Sequence, residues 1–492
     1  MDATVPGTAS LGDRRRGRAD AVVIGSGAGG GPVAATLAEA GLHVVVVEAG
    51  PRLEVPHFTG EEGAMLAALW RLGLAPPRLA LYAGACVGGS TVINDALCFP
   101  PPPEVLAAWR DEHGLGGLTE AAMAPFVARA WADLHASETD LAHTSRNAAA
   151  LARGARRLGW AGSATPRSVR GCLNLGLCNL GCPSNAKQST LVAYVPRAER
   201  AGATVLPRTR VERVRTAAGA VVGIAARTDA GETLAVDAPL VCVAAGVLET
   251  PALLQRSGIA AAGAGVAFHS STHVTARFRE PIHGYYGPTM GWAVHEWSDV
   301  NGHTGPGVMI ENTGALPVAA AGALPRFGKR HAARMAQLPY LARALVVAHD
   351  RTRGRIDAAG GVAYDLQPED LERLRAGIAA AARAYLAAGA EEVWLPVIGL
   401  SPVRMESDLR ALERAALGPR DLALLYAVHL FGGAAMGRHG VAEEDGAVRG
   451  LRGLYVVDAA ALPTNTGVNP QVTIVANALR IASGIAARGR IA

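Results

Sequence analysis

The chain lacks an apolar stretch of the length that a membrane-spanning helix requires. Such a helix takes about 20 consecutive apolar residues, whereas charges or Gly-rich segments interrupt every long apolar run among these 492 residues. The sequence also has no long Lys- and Arg-rich face, and its formal net charge is only +5. We therefore predict neither a transmembrane segment nor a nucleic-acid partner.

One basic run, made of Arg14, Arg15, Arg16 and Arg18, precedes an apolar segment, and an Arg-Arg pair in that position can belong to an export signal. The apolar segment, however, is Gly-rich and has helical spacing after Gly31, unlike the apolar core of a signal peptide. We interpret it as the first strand, turn and helix of the folded protein. The expected location is therefore the cytoplasm.

Charged residues make up only 18% of the chain, while hydrophobic residues make up 50%. This balance indicates a globular protein with a sizeable core. Glycine is abundant, at 59 residues, but it has no collagen-like period, so it indicates tight turns and close backbone contacts. At this length we expect two large domains.

Residues 20–50 have the pattern of a strand, a Gly-rich turn, a helix and a second strand. Three glycines match G-x-G-x-x-G, which permits a tight turn and brings the backbone close to a pyrophosphate. Glu48 ends the second strand, 23 residues after Gly25, where a carboxylate can bind a ribose diol. The pattern does not separate NAD from FAD, and a nucleotide-free βαβ unit is the alternative. The predicted dinucleotide-binding residues are Gly25, Gly27, Ala28, Gly29, Gly30 and Glu48.

Three later segments resemble the glucose–methanol–choline (GMC) family of flavin oxidoreductases. YAGACVGGSTVINDALCF (82–99) resembles the first signature of that family, and VCVAAGVLETPALLQRSGI (241–259) resembles the second, from which Val247 and Ala260 depart. The block that starts with HLFGGAAMG at His429 resembles the closing segment. The His-x-x-Gly-Gly and Gly-Val-Asn-Pro forms look most like the cholesterol oxidase and long-chain alcohol oxidase branches.

The resemblance implies an α/β fold with two interleaved domains. A Rossmann-like FAD-binding domain would comprise residues 19–264 plus 426–492, with a Cys-containing excursion at about 165–190. An α+β substrate-binding domain with a large antiparallel sheet would comprise residues 265–425. Within it, the clearest helical pattern runs from Pro368 to Ala390, with Gly389 as its stop.

The resemblance also implies the cofactor, FAD. No His lies within 82–99, so we expect FAD to be bound without a covalent histidyl link. For Asn94 the alternative is a turn residue, and for Asp458 it is an acidic residue that only ends a strand. The further FAD-binding residues that the family pattern implies are Gly88, Gly89, Ser90, Asn94, Val211, Asp458, Ala459, Asn469, Pro470 and Gln471.

Alcohol oxidation requires a base or hydrogen-bond partner for the hydroxyl group and a donor that faces the developing charge on oxygen. His429 matches the first His of the catalytic pair of the family, and Asn469 matches the second member. We predict His429 as the base or hydrogen-bond partner and Asn469 as the residue that orients the oxygen. His269 matches a short family motif whose usual following Pro is Ser270 here, and we expect a structural role for it and for His439.

The last motif is a trio of cysteines, Cys172, Cys178 and Cys182, with the spacing C-x5-C-x3-C. The trio lacks the fourth thiolate of a structural zinc site, and disulfides are rare in the cytosol. Three thiolates could hold an iron–sulfur cluster, and the same spacing occurs in glucose dehydrogenase catalytic subunits of the GMC family, which carry a [3Fe–4S] centre. A structural trio is the alternative, because long-chain alcohol oxidase-like members have similar segments.

These observations predict an FAD-dependent enzyme that oxidises the CH–OH group of a small-molecule substrate, an apolar primary or secondary alcohol, with O₂ or a redox partner as electron acceptor. One alternative is a sugar or polyol dehydrogenase that passes electrons through the cluster to a cytochrome-like partner. Another is a flavin-bound lyase without net redox chemistry. The sequence does not indicate the oligomeric state.

Overall fold

The computed structural model describes residues 16–325 and 327–489, so Arg14 and Arg15 of the basic run lie outside the described residues. Its strands, in chain order, are β1 (Arg16–Arg18), β2 (Ala21–Ile24), β3 (Val44–Val47), β4 (Trp70–Ala75), β5 (Leu79–Gly84), β6 (Ala136–Glu138), β7 (Gly162–Ala164), β8 (Pro166–Ser168), β9 (Thr204–Leu206), β10 (Thr209–Ala217), β11 (Ala220–Thr228), β12 (Thr233–Asp237), β13 (Leu240–Val243), β14 (Ala264–Arg277), β15 (Trp292–Val294), β16 (Val308–Asn312), β17 (Leu341–Ala348), β18 (Gly354–Ile356), β19 (Val362–Ala363), β20 (Glu392–Trp394), β21 (Tyr426–Phe431) and β22 (Leu454–Val456). Its α-helices are α1 (Gly30–Glu39), α2 (Glu62–Leu69), α3 (Pro103–His113), α4 (Glu120–Asp133), α5 (Arg146–Arg157), α6 (Thr190–Ala193), α7 (Val195–Arg200), α8 (Thr250–Arg256), α9 (Pro317–Ala323), α10 (Gly328–Met335), α11 (Pro368–Ala387), α12 (Arg410–Arg414) and α13 (Gln471–Gly489). None of the helices in these two described ranges is long and apolar enough to cross a membrane.

The predicted nucleotide-binding core is a five-stranded parallel sheet with the order β22-β13-β2-β3-β9. Strands β2, β3 and β13 are runs of apolar residues, AVVI, VVVV and LVCV, and all but the first residue of β13 are buried. Uninterrupted apolar strands are typical of a parallel sheet that is covered on both faces. Helix α1 connects β2 to β3, as the sequence pattern predicts.

The second large element is an eleven-stranded sheet with the main path β4-β5-β21-β14-β17-β16-β15-β7. Its described pairings are antiparallel, except for the parallel pair β5–β21. Helix α11 covers one face, where Gly377 lies against Val346 of β17 and Val308 of β16. The helix predicted to end at Ala390 ends at Ala387, and Gly389 follows with a φ of +97°.

Two smaller sheets complete the described fold: one has the order β1-β12-β11-β10 and the other pairs β6 with β8. Strands β4, β5, β7 and β21 of the large sheet come from outside residues 265–425. After β21 the chain returns to the nucleotide-binding sheet through β22, and α13 is the last helix of the described residues. The residues that follow β21 and those that precede α13 therefore lie where the two large sheets meet, while the exact domain boundaries stay a prediction.

Candidate active site

The Gly-rich turn between β2 and α1 has the geometry that its sequence predicts. Gly25 has a φ of +94°, and a Cβ atom there would collide with the carbonyl group of Ala244 at the end of β13. A Cβ atom on Gly30 would collide with the carbonyl group of Gly25. These two positions therefore require glycine because the turn, the helix and the neighbouring strand are in close backbone contact.

A second Gly-rich loop faces this turn. Gly88 and Gly89 both have positive φ, and a Cβ atom on Gly89 would lie 3.0 Å from Cα of Gly27. In the described part of the chain, no side chain caps the N-terminus of α1, and its first turn contains no acidic residue. Free N–H groups at a helix N-terminus bind phosphate, so the two loops form a cradle that fits the pyrophosphate of a dinucleotide.

Two buried carboxylates border this cradle. Glu48 accepts hydrogen bonds from the backbone and hydroxyl groups of Ser26, at 3.0 and 2.7 Å, and from Gly50 N–H at 3.0 Å. Asp458 accepts hydrogen bonds from Gly246 N–H and from the Thr250 hydroxyl, each at 2.7 Å. Burial raises the pKa of both carboxyl groups, and the hydrogen bonds oppose that shift.

The remaining residues predicted to bind FAD lie after the second Gly-rich loop, in β10, after β22 and around the start of α13. The side-chain amide of Asn94 donates a hydrogen bond to Oε1 of Gln471, the first residue of α13. Ser90 Oγ accepts a hydrogen bond from Gly84 N–H at 2.9 Å. Val211 lies in β10, two residues after Thr209, whose N–H donates to the Glu48 carbonyl. Ala459 begins a short 3-10 helix, and its carbonyl accepts from Gly432 N–H. Pro470 directly precedes α13, and its carbonyl accepts from Ile474 N–H.

The predicted catalytic pair comes together. His429, in β21, and Asn469, just before α13, have Nε2 and Nδ2 atoms 3.5 Å apart. The turn that carries Asn469 is anchored by Asn465, whose amide donates to the carbonyls of Phe268 and Asp350, each at 2.8 Å. Burial lowers the pKa of His429 to about 4, so its imidazole is neutral at neutral pH. The side-chain oxygen of Asn469 is buried and has no hydrogen-bond partner among the described residues.

His269 belongs to this site, although the sequence predicts only a structural role for it. Its Nδ1 atom lies 3.1 Å from Nδ1 of His429. On the other side of the ring, Gly467 N–H donates a hydrogen bond to Nε2 at 3.1 Å. His439, by contrast, is exposed.

Glu311 is a functional candidate that sequence analysis misses. In the registers of β14, β17 and β16, Glu311 pairs with Leu345, which pairs with His273. Directly paired residues share a sheet face, so Glu311 lies on the face of His273. Side chains alternate along a strand, so His269, four residues before His273 in β14, lies on that face as well. Both carboxylate oxygens are buried without a hydrogen-bond partner in the described ranges. Burial raises the pKa of Glu311 to about 8, and the Asn469 amide opposes that shift. A lone carboxylate in the apolar strand GVMIEN was the available signal.

The cysteine trio lies next to the segment that contains Asn94. The buried Lys187 ammonium donates hydrogen bonds to the carbonyls of Val92, Asn94 and Cys178, at 2.6, 2.8 and 2.6 Å. The buried guanidinium of Arg167 donates to Cys178 Sγ at 3.2 Å. These contacts connect the cysteine loop to the segment that is predicted to contact the flavin.

The donor set at the trio does not support an iron–sulfur cluster. Across the part of the chain that the structure describes, no three His, Cys, Asp or Glu side chains lie close enough together to hold a metal ion. The six cysteines are all free, and those of the trio are partly exposed. The predicted [3Fe–4S] centre therefore has no support, and the structural alternative accounts for the contacts of Arg167 and Lys187.

Comparison with family models identifies the family to which the chain belongs. The N-terminal GMC oxidoreductase model matches residues 20–275, and the C-terminal GMC oxidoreductase model matches residues 350–478. The chain belongs to the GMC oxidoreductase family. It is therefore a flavin oxidoreductase, and the predicted family membership and fold class are confirmed.

Relatives of this GMC oxidoreductase include proteins with named activities. It is 37% identical to an uncharacterised GMC-type oxidoreductase of Mycobacterium tuberculosis (strain H37Rv), over 96% of this chain and 76% of the relative. It is 28% identical to long-chain-alcohol oxidase FAO4B of Arabidopsis thaliana, over 95% and 67%. It is 27% identical to cholesterol oxidase of M. tuberculosis (strain CDC 1551), over 94% and 90%.

Among solved structures, this GMC oxidoreductase is similar to pyridoxine 4-oxidase from Mesorbium loti. The TM-score is 0.73 at 18% identity, and the match covers 94% of this chain and 98% of the other. At that identity the similarity supports the fold alone. It agrees with the arrangement of a nucleotide-binding sheet beside a large mixed sheet.

Proposed function

We propose that this GMC oxidoreductase oxidises the CH–OH group of an alcohol with non-covalently bound FAD. The observation that carries the proposal is the convergence of His429 Nε2 and Asn469 Nδ2, 3.5 Å apart, at the junction of the two large sheets. FAD, when bound, supplies the acceptor for the hydride that leaves the carbon. The chain has to bind and orient the hydroxyl group and take up its proton.

His429 and Asn469 are the proposed contacts of the reacting oxygen. Asn469 is held rigidly because Asn465 and Thr466 fix the preceding turn: the Thr466 hydroxyl donates to the Val468 carbonyl at 2.6 Å. An N–H donor in a fixed position stabilises negative charge that develops on oxygen, since it needs no reorganisation during the reaction. The buried position of both side chains keeps water away from the oxygen and strengthens that interaction.

Two side chains could take the hydroxyl proton. His429 can act as the base if its Nε2 atom is unprotonated. Glu311 can act as the base when its carboxyl group is ionised, because both of its oxygens are buried without a partner among the described residues. An unpaired buried carboxylate is costly, and a substrate hydroxyl group would supply the missing hydrogen bond.

The proposed substrate is an apolar primary or secondary alcohol. The similarity to a long-chain-alcohol oxidase and to a cholesterol oxidase supports this class. O₂ or a soluble acceptor is the proposed oxidant of the reduced flavin, because the cysteine trio does not support a cluster that would pass electrons to a partner. A sugar dehydrogenase of the cluster-containing type is not favoured for the same reason.

The proposal is tested by anaerobic flavin reduction with a panel of alcohols. The panel should contain primary alcohols of increasing chain length, a secondary ring alcohol and a sugar. We expect an apolar alcohol to bleach the flavin absorbance, and subsequent admission of O₂ to restore it. A lyase would leave the absorbance unchanged with every substrate, and that result would remove alcohol oxidation from consideration. Flavin released into the supernatant after acid denaturation would support non-covalent binding.

A further inference from the structure

A cavity of about 680 Å³ lies apart from the candidate active site, where the start of β14 meets β18 and β19. Its lining includes the segment 260–265, with the sequence AAAGAG, and the residues Gln255, Arg355 and Tyr364. None of its lining residues is predicted to bind FAD or to contact the reacting oxygen. Cavities of this size are typical of sites for small molecules, so this one is available to a second ligand.

Two arginines give this cavity a positive charge. Arg353 directly precedes β18, and Arg355 lies within it. Residues two apart along a strand point to the same side, with Cα atoms about 7 Å apart, and both arginines line the cavity. Both are also exposed, so their guanidinium groups are accessible to a ligand.

Neither of these arginines is ion-paired. Within residues 16–325 and 327–489, no carboxylate oxygen lies within 4.0 Å of either guanidinium group. Arg353 donates hydrogen bonds to two backbone carbonyls of its own segment, at 3.2 and 3.1 Å. Arg256, in the neighbouring helix α8, is by contrast ion-paired with Glu249 at 3.3 Å. The two arginines of the cavity therefore keep hydrogen-bond donors and positive charge for an external anion.

The rest of the lining is complementary to an organic anion. Asp365 is the single acidic residue among the lining residues, so the cavity keeps a net positive charge, and alanines and Ile356 add apolar surface. Guanidinium groups bind carboxylate and phosphate groups through paired hydrogen bonds. We propose that the cavity is a second binding site, for a small organic molecule that carries a carboxylate or phosphate group. Arg353 and Arg355 bind the anionic group, and segment 260–265 contacts the apolar body of the ligand.

The site is distinct from the active site, but residues of its lining are bonded to segments that hold the catalytic pair. Gly263 N–H donates to the carbonyl of Gly433, which follows β21, at 2.6 Å. The Tyr364 hydroxyl donates to the Asp350 carboxylate at 2.9 Å, and the Asp350 carbonyl anchors the turn before α13. Binding is therefore to be measured directly, because a change in activity does not tell which of the two sites is occupied.

The test is isothermal titration calorimetry on the FAD-loaded enzyme, without any alcohol, at an ionic strength of about 0.15 M. The probes are octanoate and octyl phosphate, and the comparison compounds are neutral octanamide and inorganic phosphate. We expect one molecule of either organic anion to bind per chain, and both comparison compounds to bind roughly tenfold more weakly or less. The tighter of the two organic anions identifies the preferred anionic group. Failure of both to bind would overturn the proposal.

Substitution of both arginines locates the bound anion. In the double variant Arg353→Gln/Arg355→Gln, the affinity for the organic anions should fall roughly tenfold or more, because both charged donors are lost. Arg414→Gln, at an exposed position of α12 outside the lining, is the matched control and should bind as the wild type does. Flavin content reports whether each variant is folded. Wild-type affinity in the double variant would show that the anion binds elsewhere, including the active site, and would overturn the proposal.

Asp365→Asn tests the same site in the opposite direction. The substitution removes the negative charge of the lining, so the affinity for the organic anions should rise several-fold, and the gain should shrink as salt is added. A partly unfolded variant cannot bind more tightly, so this result separates an electrostatic effect from a structural one. Unchanged or weaker binding in Asp365→Asn would contradict an anion site beside this residue.

Discussion

Nε2 of His429 and Nδ2 of Asn469 lie 3.5 Å apart, although forty positions separate the two residues along the chain. His429 is held by strand β21 of the large sheet, and Asn469 is held by the turn that precedes α13. A strand and a turn from different parts of the chain thus each contribute one nitrogen to the same point. Because both nitrogens are buried and neutral, they interact with a substrate oxygen through hydrogen bonds and not through a net charge.

The first prediction concerns His429→Gln. The substitution removes the imidazole but retains a polar side chain, so FAD should stay bound while the rate of flavin reduction falls on the order of a hundredfold or more. Anaerobic stopped-flow absorbance measures the rate, and the flavin-to-protein absorbance ratio measures occupancy. His439→Gln, at an exposed position, is the matched control and should reduce at the wild-type rate. An unchanged rate in His429→Gln would remove this residue from the mechanism.

Local sequence was sufficient for the strands and the Gly-rich turn of the nucleotide-binding sheet. The runs AVVI and VVVV predict buried parallel strands, and they form β2 and β3 with the Gly-rich turn between β2 and α1. The prediction succeeds because each determinant, apolar strand, glycine and helix start, acts within about 30 residues. The family pattern then supplies His429 and Asn469, which no local rule would pair.

Local sequence was insufficient for His269 and Glu311. The contact of His269 with His429 depends on the pairing of β14 with β21, which contains a register irregularity between Phe268 and Ser270. Strand register is set by long-range packing, and a shift by one residue would reverse the face of every side chain. Glu311 lies near the end of β16, directly after the apolar residues Val308–Ile310, so its inward position was not evident from the sequence.

The second prediction concerns the pH dependence of flavin reduction. Since the pKa of Glu311 is raised to about 8, its carboxyl group is mostly protonated at pH 7 and becomes a base as the pH rises through 8. We expect the reduction rate to increase between pH 7 and 9 and then to level off. In Glu311→Gln the rate should be lower and independent of pH over this range, as measured by stopped-flow absorbance at each pH.

Asp350 provides the control for this pH profile. Burial and the neighbouring Asp370 raise the pKa of Asp350 to about 8 as well, but its carboxylate is bonded to the Ser270 hydroxyl at 2.7 Å and to the Tyr364 hydroxyl at 2.9 Å. Two hydroxyl groups therefore already bond to Asp350, whereas no hydroxyl group bonds to Glu311 among the described residues. Asp350→Asn should keep the increase in reduction rate between pH 7 and 9. If Asp350→Asn loses this increase and Glu311→Gln keeps it, the increase is due to the titration of Asp350.

The third prediction concerns the Gly-rich turn. In Gly25→Ala a Cβ atom would collide with the Ala244 carbonyl, and the residue would have to adopt a φ of +94°. We expect loss of FAD binding or of the fold, measured by flavin content and thermal unfolding. Gly41→Ala is the matched control for backbone strain without a collision, because Gly41 has a φ of +96° and nothing lies within 4 Å of the added Cβ atom. It should cost only about 1–2 kcal/mol in unfolding free energy and keep its FAD.

The fourth prediction concerns the metal content of the purified holoenzyme. No three metal-binding side chains converge within residues 16–325 and 327–489, and the guanidinium of Arg167 occupies a position beside Cys178 Sγ. We therefore expect only flavin bands in the visible spectrum of anaerobically purified protein and less than one iron per chain by metal analysis. Replacing Cys172 and Cys182 by Ser should then leave flavin content and alcohol-dependent reduction unchanged. Roughly three irons per chain, with a broad brown absorbance that disappears in the Ser variant, would establish the cluster and redirect electron transfer to a protein partner.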